Sequence, residues 1–349
     1  MVATSNNRHR NDTLERGENG TYSADAIGAV TVDYIMNRAA VAPSQPWFLY
    51  LPWQSVHSPM QAPQAYLDLY PNLTGNVKIR AAMVSALDAN FGKVVDALKA
   101  ADQMEKTIIV FTADNGAPYE EAFDTGDDPA MMDVLRYGMS SPARPPNGTH
   151  GKGGGSNYPL SGWKHYVFEG GVRSASFIYS SDLANPGSVH HGLFHAVDWL
   201  PTLAARAGAG TAANLPLDGF DLWDAIQAGG SSSPRTEIPV EIAACGDDFK
   251  GQTIVDGPQA AMIVGDLKVI VQCWWRGTKM NSTAQLYNIT ADAGEHDDLA
   301  AARPDDLARL LGRLDWWEQQ SVPPYQKNES CGEGKPLNST IFPYWDAWC

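Results

Sequence analysis

Residues 46–51 read Pro-Trp-Phe-Leu-Tyr-Leu, a continuous apolar run that prolines bound on both sides. A run of this length and composition is typical of a strand buried in a parallel sheet. Residues 107–112 form a second run of the same kind, and residues 77–100 between them are apolar at helical spacing. Strand, helix and strand in this order predict an α/β fold built on a parallel sheet.

The segments around this unit extend the same pattern. A helix is predicted at 24–40, a third short strand at 177–179 and another helix at 192–207. Residues 117–157 are rich in Gly, Pro and Asp and predict a long surface loop, a feature that is often functional in compact domains. The helix at 77–100 is expected to bury one stripe of side chains: Val84, Leu87, Phe91, Val95 and Leu98.

A linker of Gly, Ser and Pro at 229–234 separates this pattern from a different one. Short strands are predicted beyond it at 237–243, 261–264, 267–272 and 285–289, followed by a helix at 304–320. Gly265-Asp266 predicts a two-residue hairpin turn. We therefore divide the chain into part of an α/β domain, 1–235, and a small antiparallel subdomain with a terminal helix, 236–349.

Composition excludes several classes of protein. The chain has 349 residues, of which 44% are hydrophobic, so it can bury a sizeable core. It carries 25 basic and 40 acidic side chains, a net charge of −15, which disfavours binding to nucleic acid or to an anionic membrane. No apolar run reaches the 18 residues of a membrane-spanning helix, so none is predicted.

Cysteines and glycosylation signals bear on the cellular compartment. The four cysteines could be buried thiols or two disulfides of an exported protein. Eight N-x-S/T sequons occur where chance gives about two, and this excess favours the secretory route. The polar residues 1–20 lack the apolar core of a signal peptide, so we expect the true N-terminus to be missing. The sequons are at Asn11, Asn19, Asn72, Asn147, Asn281, Asn288, Asn328 and Asn338.

Polar side chains follow the two predicted strands, at the edge where α/β sheets bind ligands. His57 follows the first strand, and Asp114-Asn115-Gly116 follows the second. His57 alone could be a hydrogen-bonded loop residue, and the tripeptide could be a simple turn. The alternative is a cation site, because Asp and Asn supply the hard oxygen ligands that Ca²⁺ and Mg²⁺ prefer.

The segment from Gly162 to Arg173 is more specific. Lys164 and Arg173 flank the glycine pair 170–171, which permits close backbone approach. The segment could be an ordinary strand or helix that ends in a glycine turn. Its functional interpretation is an anion site, with Lys164 contacting a sulfate or phosphate and Glu169 and Arg173 supporting it.

Three motifs in the right order resemble one family. Residues 56–61, residues 112–116 and the segment 162–173 are similar to sulfatases of the alkaline-phosphatase superfamily, and most similar to the arylsulfatase B type, which includes N-acetylgalactosamine-4-sulfatase. Residues 195–203 and 217–223 extend the match, so the resemblance covers most of residues 22–325. It implies an alkaline-phosphatase-like α/β catalytic domain and hydrolysis of sulfate esters of glycans or aryl compounds.

The resemblance also implies cofactors and roles. Family members use a cysteine-derived formylglycine and a Ca²⁺ ion. Asp114 and Asn115 match the second half of the metal site, His57 matches the histidine that contacts sulfate and helps to protonate the leaving group, and Lys164 matches the sulfate-binding lysine. The chemistry agrees, since a cation polarises sulfuryl oxygens and a departing oxygen needs a proton.

Two parts of the family pattern are missing. None of the four cysteines begins a C-x-P-S-R or C-x-A-x-R segment, and no aspartate pair follows an apolar strand. We therefore expect an incomplete calcium site and a chain that is inactive as it stands, representing the C-terminal part of a sulfatase. The alternatives are a secreted, non-catalytic pseudo-sulfatase that binds sulfated glycans, and a phosphoesterase of the same superfamily.

The resemblance further implies a disulfide between Cys245 and Cys273. Cys331 and Cys349 then remain to close the C-terminal tail. An extracellular or lysosomal location follows from the same family likeness together with the sequons.

Overall fold

The computed structural model describes residues 9–10, 13–14, 20–118, 154–209, 216–242, 259–276 and 279–321, with the backbone alone described at 9–10, 13–14, 273–276 and 279–282. The helices are α1 (Ser23–Val41), α2 (Gln64–Leu67), α3 (Gly75–Ala100), α4 (Glu169–Val172), α5 (Trp199–Arg206), α6 (Trp223–Ala228) and α7 (Pro304–Gln320). The strands are β1 (His9–Arg10), β2 (Thr13–Leu14), β3 (Ile109–Thr112), β4 (Ser176–Tyr179), β5 (Glu237–Ile242), β6 (Gln259–Val264), β7 (Leu267–Arg276) and β8 (Lys279–Asn288).

The long helices α1 and α3 pack against each other at a glycine. Gly28 of α1 lies so close to Asn90 of α3 that an added Cβ would be 2.6 Å from the Asn90 side-chain oxygen. Asn90 is fully buried and its amide nitrogen donates to Asp25 at 2.8 Å, so this buried polar group is satisfied. Both helices were predicted from sequence, and both predictions are confirmed.

The buried stripe of α3 differs from the predicted one. Leu98 of the predicted stripe is buried as expected, but Val84 is 50% exposed. The other buried side chains include Met83, Ala86, Asn90 and Val94. The helix lies between two neighbours, with this stripe facing α1 and the half-buried Phe91 reaching the aromatic rings of β3 and β4. A single hydrophobic stripe read from sequence cannot resolve two packing faces, since small and polar residues such as Ala and Asn line the closer one.

The strand pairing also differs from the predicted one. β3 and β4 pair antiparallel, with Ile109 opposite Tyr179 and Thr112 opposite Ser176. Residues 46–51 form no helix, and they form no ladder with any strand in the described ranges. Trp47 packs on the helices near Ile35 while Phe48 stays 77% exposed. An apolar run specifies burial of its side chains, but a strand also needs a neighbouring backbone to pair with.

The C-terminal sheet has the antiparallel order β5-β6-β7-β8. Val264 pairs with Leu267, which confirms the hairpin turn predicted at Gly265-Asp266. One face of the sheet packs on Leu310 and Leu314 of α7. The opposite face packs on Val167 and Phe168, which lie in the 162–173 segment. The sheet therefore supports the segment that carries Lys164.

Candidate functional site

His57 lies in an exposed loop between two cis peptide bonds, Ser55-Val56 and Ser58-Pro59. Its Nδ1 is 3.0 Å from the Ser58 carbonyl oxygen. The loop is held in place by Arg80, because its Nη1 donates to the Val56 carbonyl at 2.6 Å. Arg80 belongs to α3 and is only 8% exposed, so a buried cation positions the backbone next to His57.

The Asp114-Asn115-Gly116 loop directly follows β3. Oδ1 of Asp114 accepts a hydrogen bond from the backbone amide of the next residue, Asn115, at 2.9 Å. The Asn115 amide nitrogen donates to the Gly116 carbonyl at 2.8 Å. The side-chain nitrogen of Asn115 is held in that bond, so the side-chain oxygen of Asn115 is the atom that can bind a cation.

Two backbone hydrogen bonds join this loop to residues 162–173, called the lysine segment because it carries Lys164. The Gly116 amide donates to the Gly171 carbonyl at 2.9 Å, and the Lys164 amide donates to the Ala117 carbonyl at 3.0 Å. A Cβ on Gly116 would overlap the carbonyl oxygen of Gly170, so this contact requires glycine. Lys164, half-buried, therefore has its backbone beside the loop that carries Asp114 and Asn115.

Asn157 clamps the same junction. Its side-chain oxygen accepts from the Ala117 amide at 2.8 Å, and its nitrogen donates to the Ala117 and Gly162 carbonyls at 3.0 and 3.1 Å. Nearby, a Cβ on Gly155 would be 2.6 Å from the Ala117 Cβ and 3.7 Å from the Arg80 side chain. The Asn157 bonds therefore join the Asp114-Asn115 loop to residues 162–173, and Gly155 lies near Arg80, which holds the Val56 carbonyl.

Sequence reasoning missed Asn157 and Arg80. Neither residue lies in a distinctive motif, and each acts through backbone groups that are distant in sequence. Arg80 resembles any basic residue on a helix, and a single Asn in a loop gives no signal of its partners. Their roles are visible only from the packing.

Among the described residues, Asp114 and Asn115 do not make a calcium site by themselves. In the parts of the chain with described coordinates, no group of three or more His, Cys, Asp or Glu side chains could hold a metal. Asp114 and Asn115 offer one carboxylate and one amide oxygen, whereas Ca²⁺ takes six to eight oxygens. We therefore derive no chemical step through a metal ion.

Comparison with known proteins settles the family. The sulfatase family model matches residues 2–209, more than half of the chain. The chain belongs to the sulfatase family. Arylsulfatase J of Mus musculus is 30% identical over 358 residues, covering 94% of this chain and 54% of that protein. Human arylsulfatase A is 31% identical over 194 residues, covering 56% of this chain and 31% of that protein.

A solved structure gives the same result for the fold. The crystal structure of Ps i-CgsB in complex with k-i-k-neocarrahexaose matches with a TM-score of 0.67 at 25% identity, over 88% of this chain and 57% of that one. The predicted alkaline-phosphatase-like α/β class is confirmed. The chain spans about half the length of the mouse arylsulfatase and of the Ps i-CgsB chain.

The structure describes only some of the predicted glycosylation and disulfide residues. Asn72 is exposed, and Asn288 is half-buried with its side-chain oxygen accepting from the Thr290 and Ala291 amides at 3.2 and 3.0 Å. Asn281 and Cys273 lie on β8 and β7, where only the backbone is described. Outside the described residues lie Asn11, Asn19, Asn147, Asn328, Asn338, Cys245, Cys331 and Cys349.

Among the helices with described coordinates, none combines the length and the apolar character needed to cross a bilayer.

Proposed function

We propose that this chain carries the sulfate-binding and leaving-group half of an arylsulfatase-like site. The observation that carries the proposal is the junction at Gly116. There the loop with Asp114 and Asn115 is hydrogen-bonded to the segment with Lys164, and Asn157 ties the two together. The substrate would be a sulfate ester bound across this junction.

Each side chain has a chemical task in this proposal. Lys164 holds the anionic sulfate group, because an ammonium close to a sulfate stabilises its negative charge. His57 donates a proton to the oxygen of the departing alcohol or phenol, since that oxygen gains negative charge as its bond to sulfur breaks. Asp114 and Asn115 supply two of the oxygen ligands of a calcium site.

The same proposal predicts binding without turnover for the 349-residue chain. Hydrolysis in this family needs a nucleophile that accepts the sulfuryl group, and none of the four cysteines has the required sequence context. The expected behaviour is weak binding of sulfate esters, and weak calcium affinity, with no release of free alcohol.

We further propose a sulfated glycan as the substrate class and the secretory route as the location. Ps i-CgsB was solved with a bound neocarrahexaose, an oligosaccharide, and other relatives are N-acetylgalactosamine-6-sulfatases. The sequon excess supports the route. An alternative is a secreted pseudo-sulfatase that only binds sulfated glycans, and a continuous transcript that begins at Met1 would favour it.

The test uses the purified 349-residue chain and a sulfated oligosaccharide, with its desulfated form as the reference ligand. Calorimetry should show binding of the sulfated form alone. Lys164→Ala should weaken it about tenfold or more, because a charge-assisted contact is lost. Lys99→Ala, which removes an exposed lysine of α3 elsewhere, is the matched control and should change nothing.

A parallel assay follows hydrolysis of 4-nitrophenyl sulfate. No turnover is expected from the chain alone. Hydrolysis that disappears in Lys164→Ala would show that the chain contains its own nucleophile and that this part of the proposal is wrong. Equal affinity for the sulfated and desulfated oligosaccharide would reject the sulfate-binding assignment itself.

A further inference from the structure

A buried cluster of three charged side chains lies behind the glycine pair of the lysine segment. Nζ of Lys268, on β7, is 2.8 Å from a carboxylate oxygen of Glu169 and 2.9 Å from one of Glu295. The Lys268 side chain is fully buried, and the two carboxylates are 4% and 0% exposed. Arg173 adds a second cation at 3.5 Å from Glu169, so the charges balance.

Such a cluster is costly to bury. Each ion loses its hydration, and the mutual attraction offsets that loss only when the geometry is good and the remaining polar atoms are satisfied. Burial raises the pKa of Glu295 to about 7, although Lys268 opposes this shift. Apolar packing already exists next to the cluster, where Val167 and Phe168 meet the C-terminal sheet. The charged side chains therefore contribute something other than burial of apolar surface.

The cluster contributes hydrogen bonds of defined direction to the lysine segment. The second carboxylate oxygen of Glu295 accepts from the Glu169 backbone amide at 2.7 Å. The preceding residue, Gly294, accepts from the Ser161 hydroxyl at 2.5 Å. The turn at 294–295 thus holds both ends of residues 161–169, and Lys164 lies between the two contacts.

The contacts continue into the candidate site. Glu169 begins α4 and directly precedes Gly170, whose amide donates to the Ser161 carbonyl at 2.6 Å. Gly171 then accepts the hydrogen bond from Gly116. The cluster is consequently separated from the Asp114-Asn115 loop by one backbone turn.

We propose that Lys268 and Glu295 are positioning residues, which fix the 161–171 segment and so set Lys164 against the Asp114-Asn115 loop. This inference rests on the proposed function, because it assigns a role in that same site. Both residues come from the C-terminal part of the chain and neither touches the substrate. The C-terminal sheet therefore determines the geometry of the anion site.

The test compares two conservative variants at pH 8, above the pKa of Glu295. Glu295→Gln keeps the shape and removes the charge that pairs with Lys268. Glu237→Gln is the matched control, since Glu237 is a carboxylate of the same sheet that pairs with Arg313 on α7 instead. Native-state hydrogen exchange follows the amides of Gly116 and Lys164, the two donors at the junction.

We expect Glu295→Gln to speed exchange at both amides about tenfold relative to Glu237→Gln, after each rate is referred to the global stability of its own variant. Binding of the sulfated oligosaccharide should weaken in the same variant only. Lys268→Met should have the larger effect, since it leaves the buried carboxylate of Glu295 without a cation and Glu169 with Arg173 alone. If that variant does not fold, Glu295→Gln still decides.

Equal exchange at Gly116 and Lys164 in the two Gln variants would overturn the inference and leave the cluster a stabilising contact only. Hydrogen exchange needs no ligand, so it separates this inference from the proposed function. Absence of oligosaccharide binding to the unaltered chain would reject the function, whereas the exchange rates would still test whether Lys268 and Glu295 position the segment.

Discussion

The carboxylate of Asp198 should be among the most sensitive single groups for stability. It is fully buried and accepts four hydrogen bonds, from the His195 and Phe220 amides at 2.7 and 2.8 Å and from Arg235 at 2.8 and 2.5 Å. Arg235 is itself only 8% exposed. Burial raises the pKa of Asp198, but the bonds from Arg235 and the two amides outweigh it and hold the pKa below its usual value.

Asp198→Asn leaves the buried guanidinium of Arg235 without a counter-charge. Breaking a buried pair in this way costs about 3–5 kcal/mol, and because Asn keeps one acceptor oxygen, the lower end is expected. The matched control is Asp182→Asn. Asp182 pairs with Arg206 at 3.2 Å, but its side chain is 66% exposed, so that change should cost below about 1 kcal/mol.

The assay is urea unfolding of both variants, followed by tryptophan fluorescence and circular dichroism. Since the folded pKa of Asp198 is lowered, its contribution is present above the unfolded pKa and is lost as the pH falls through the folded pKa. The gap between wild type and Asp198→Asn should therefore close in acid. A loss no larger than that of Asp182→Asn would refute the reasoning from burial.

Three other outcomes are expected. Hydrogen bonds from Arg313 lower the pKa of Glu237, so Glu237→Gln should reduce the free energy of unfolding near neutral pH. This loss should disappear as the pH falls through the lowered pKa, and urea unfolding at a series of pH values can measure it. Gly116→Ala should abolish binding of the sulfated oligosaccharide, because the new Cβ would overlap the Gly170 carbonyl. Gly92→Ala on α3 is the control: its new Cβ has no neighbouring atom within 4 Å, and it should raise the melting temperature slightly. Non-reducing peptide mapping should find the two predicted disulfides, and four free thiols would contradict both the pairing and the secretory assignment.

Local sequence patterns predicted the elements that depend on local interactions. The helix expected at 304–320 is α7 (Pro304–Gln320), and the helix expected at 24–40 is α1 with one further residue at each end. The hairpin between β6 and β7 forms at the predicted turn. Helical hydrogen bonds and two-residue turns join residues that are close in sequence, so their signals lie within one short window.

The failures occurred where an element needs a distant partner. Residues 46–51 have the composition of a buried strand, yet the run pairs with no described strand and leaves Phe48 and Tyr50 mostly exposed. Part of the buried face of α3 was missed because it includes Asn90, a polar residue that lies against Gly28 of α1. Composition alone contains neither fact.

The sequence by itself determined the family, the order of the motifs and the residue types of the candidate site, because His57, Asp114, Asn115 and Lys164 stand in recognisable local contexts. Only the tertiary structure decided how those motifs are joined. Gly116 contacts Gly171, and the buried cluster joins Glu169 to Lys268, 99 positions away, and to Glu295, 126 positions away. Such contacts depend on backbone approach and on desolvated charge pairs. Neither kind of contact leaves a periodic or compositional signal along the chain, since each is defined by distances in the folded state.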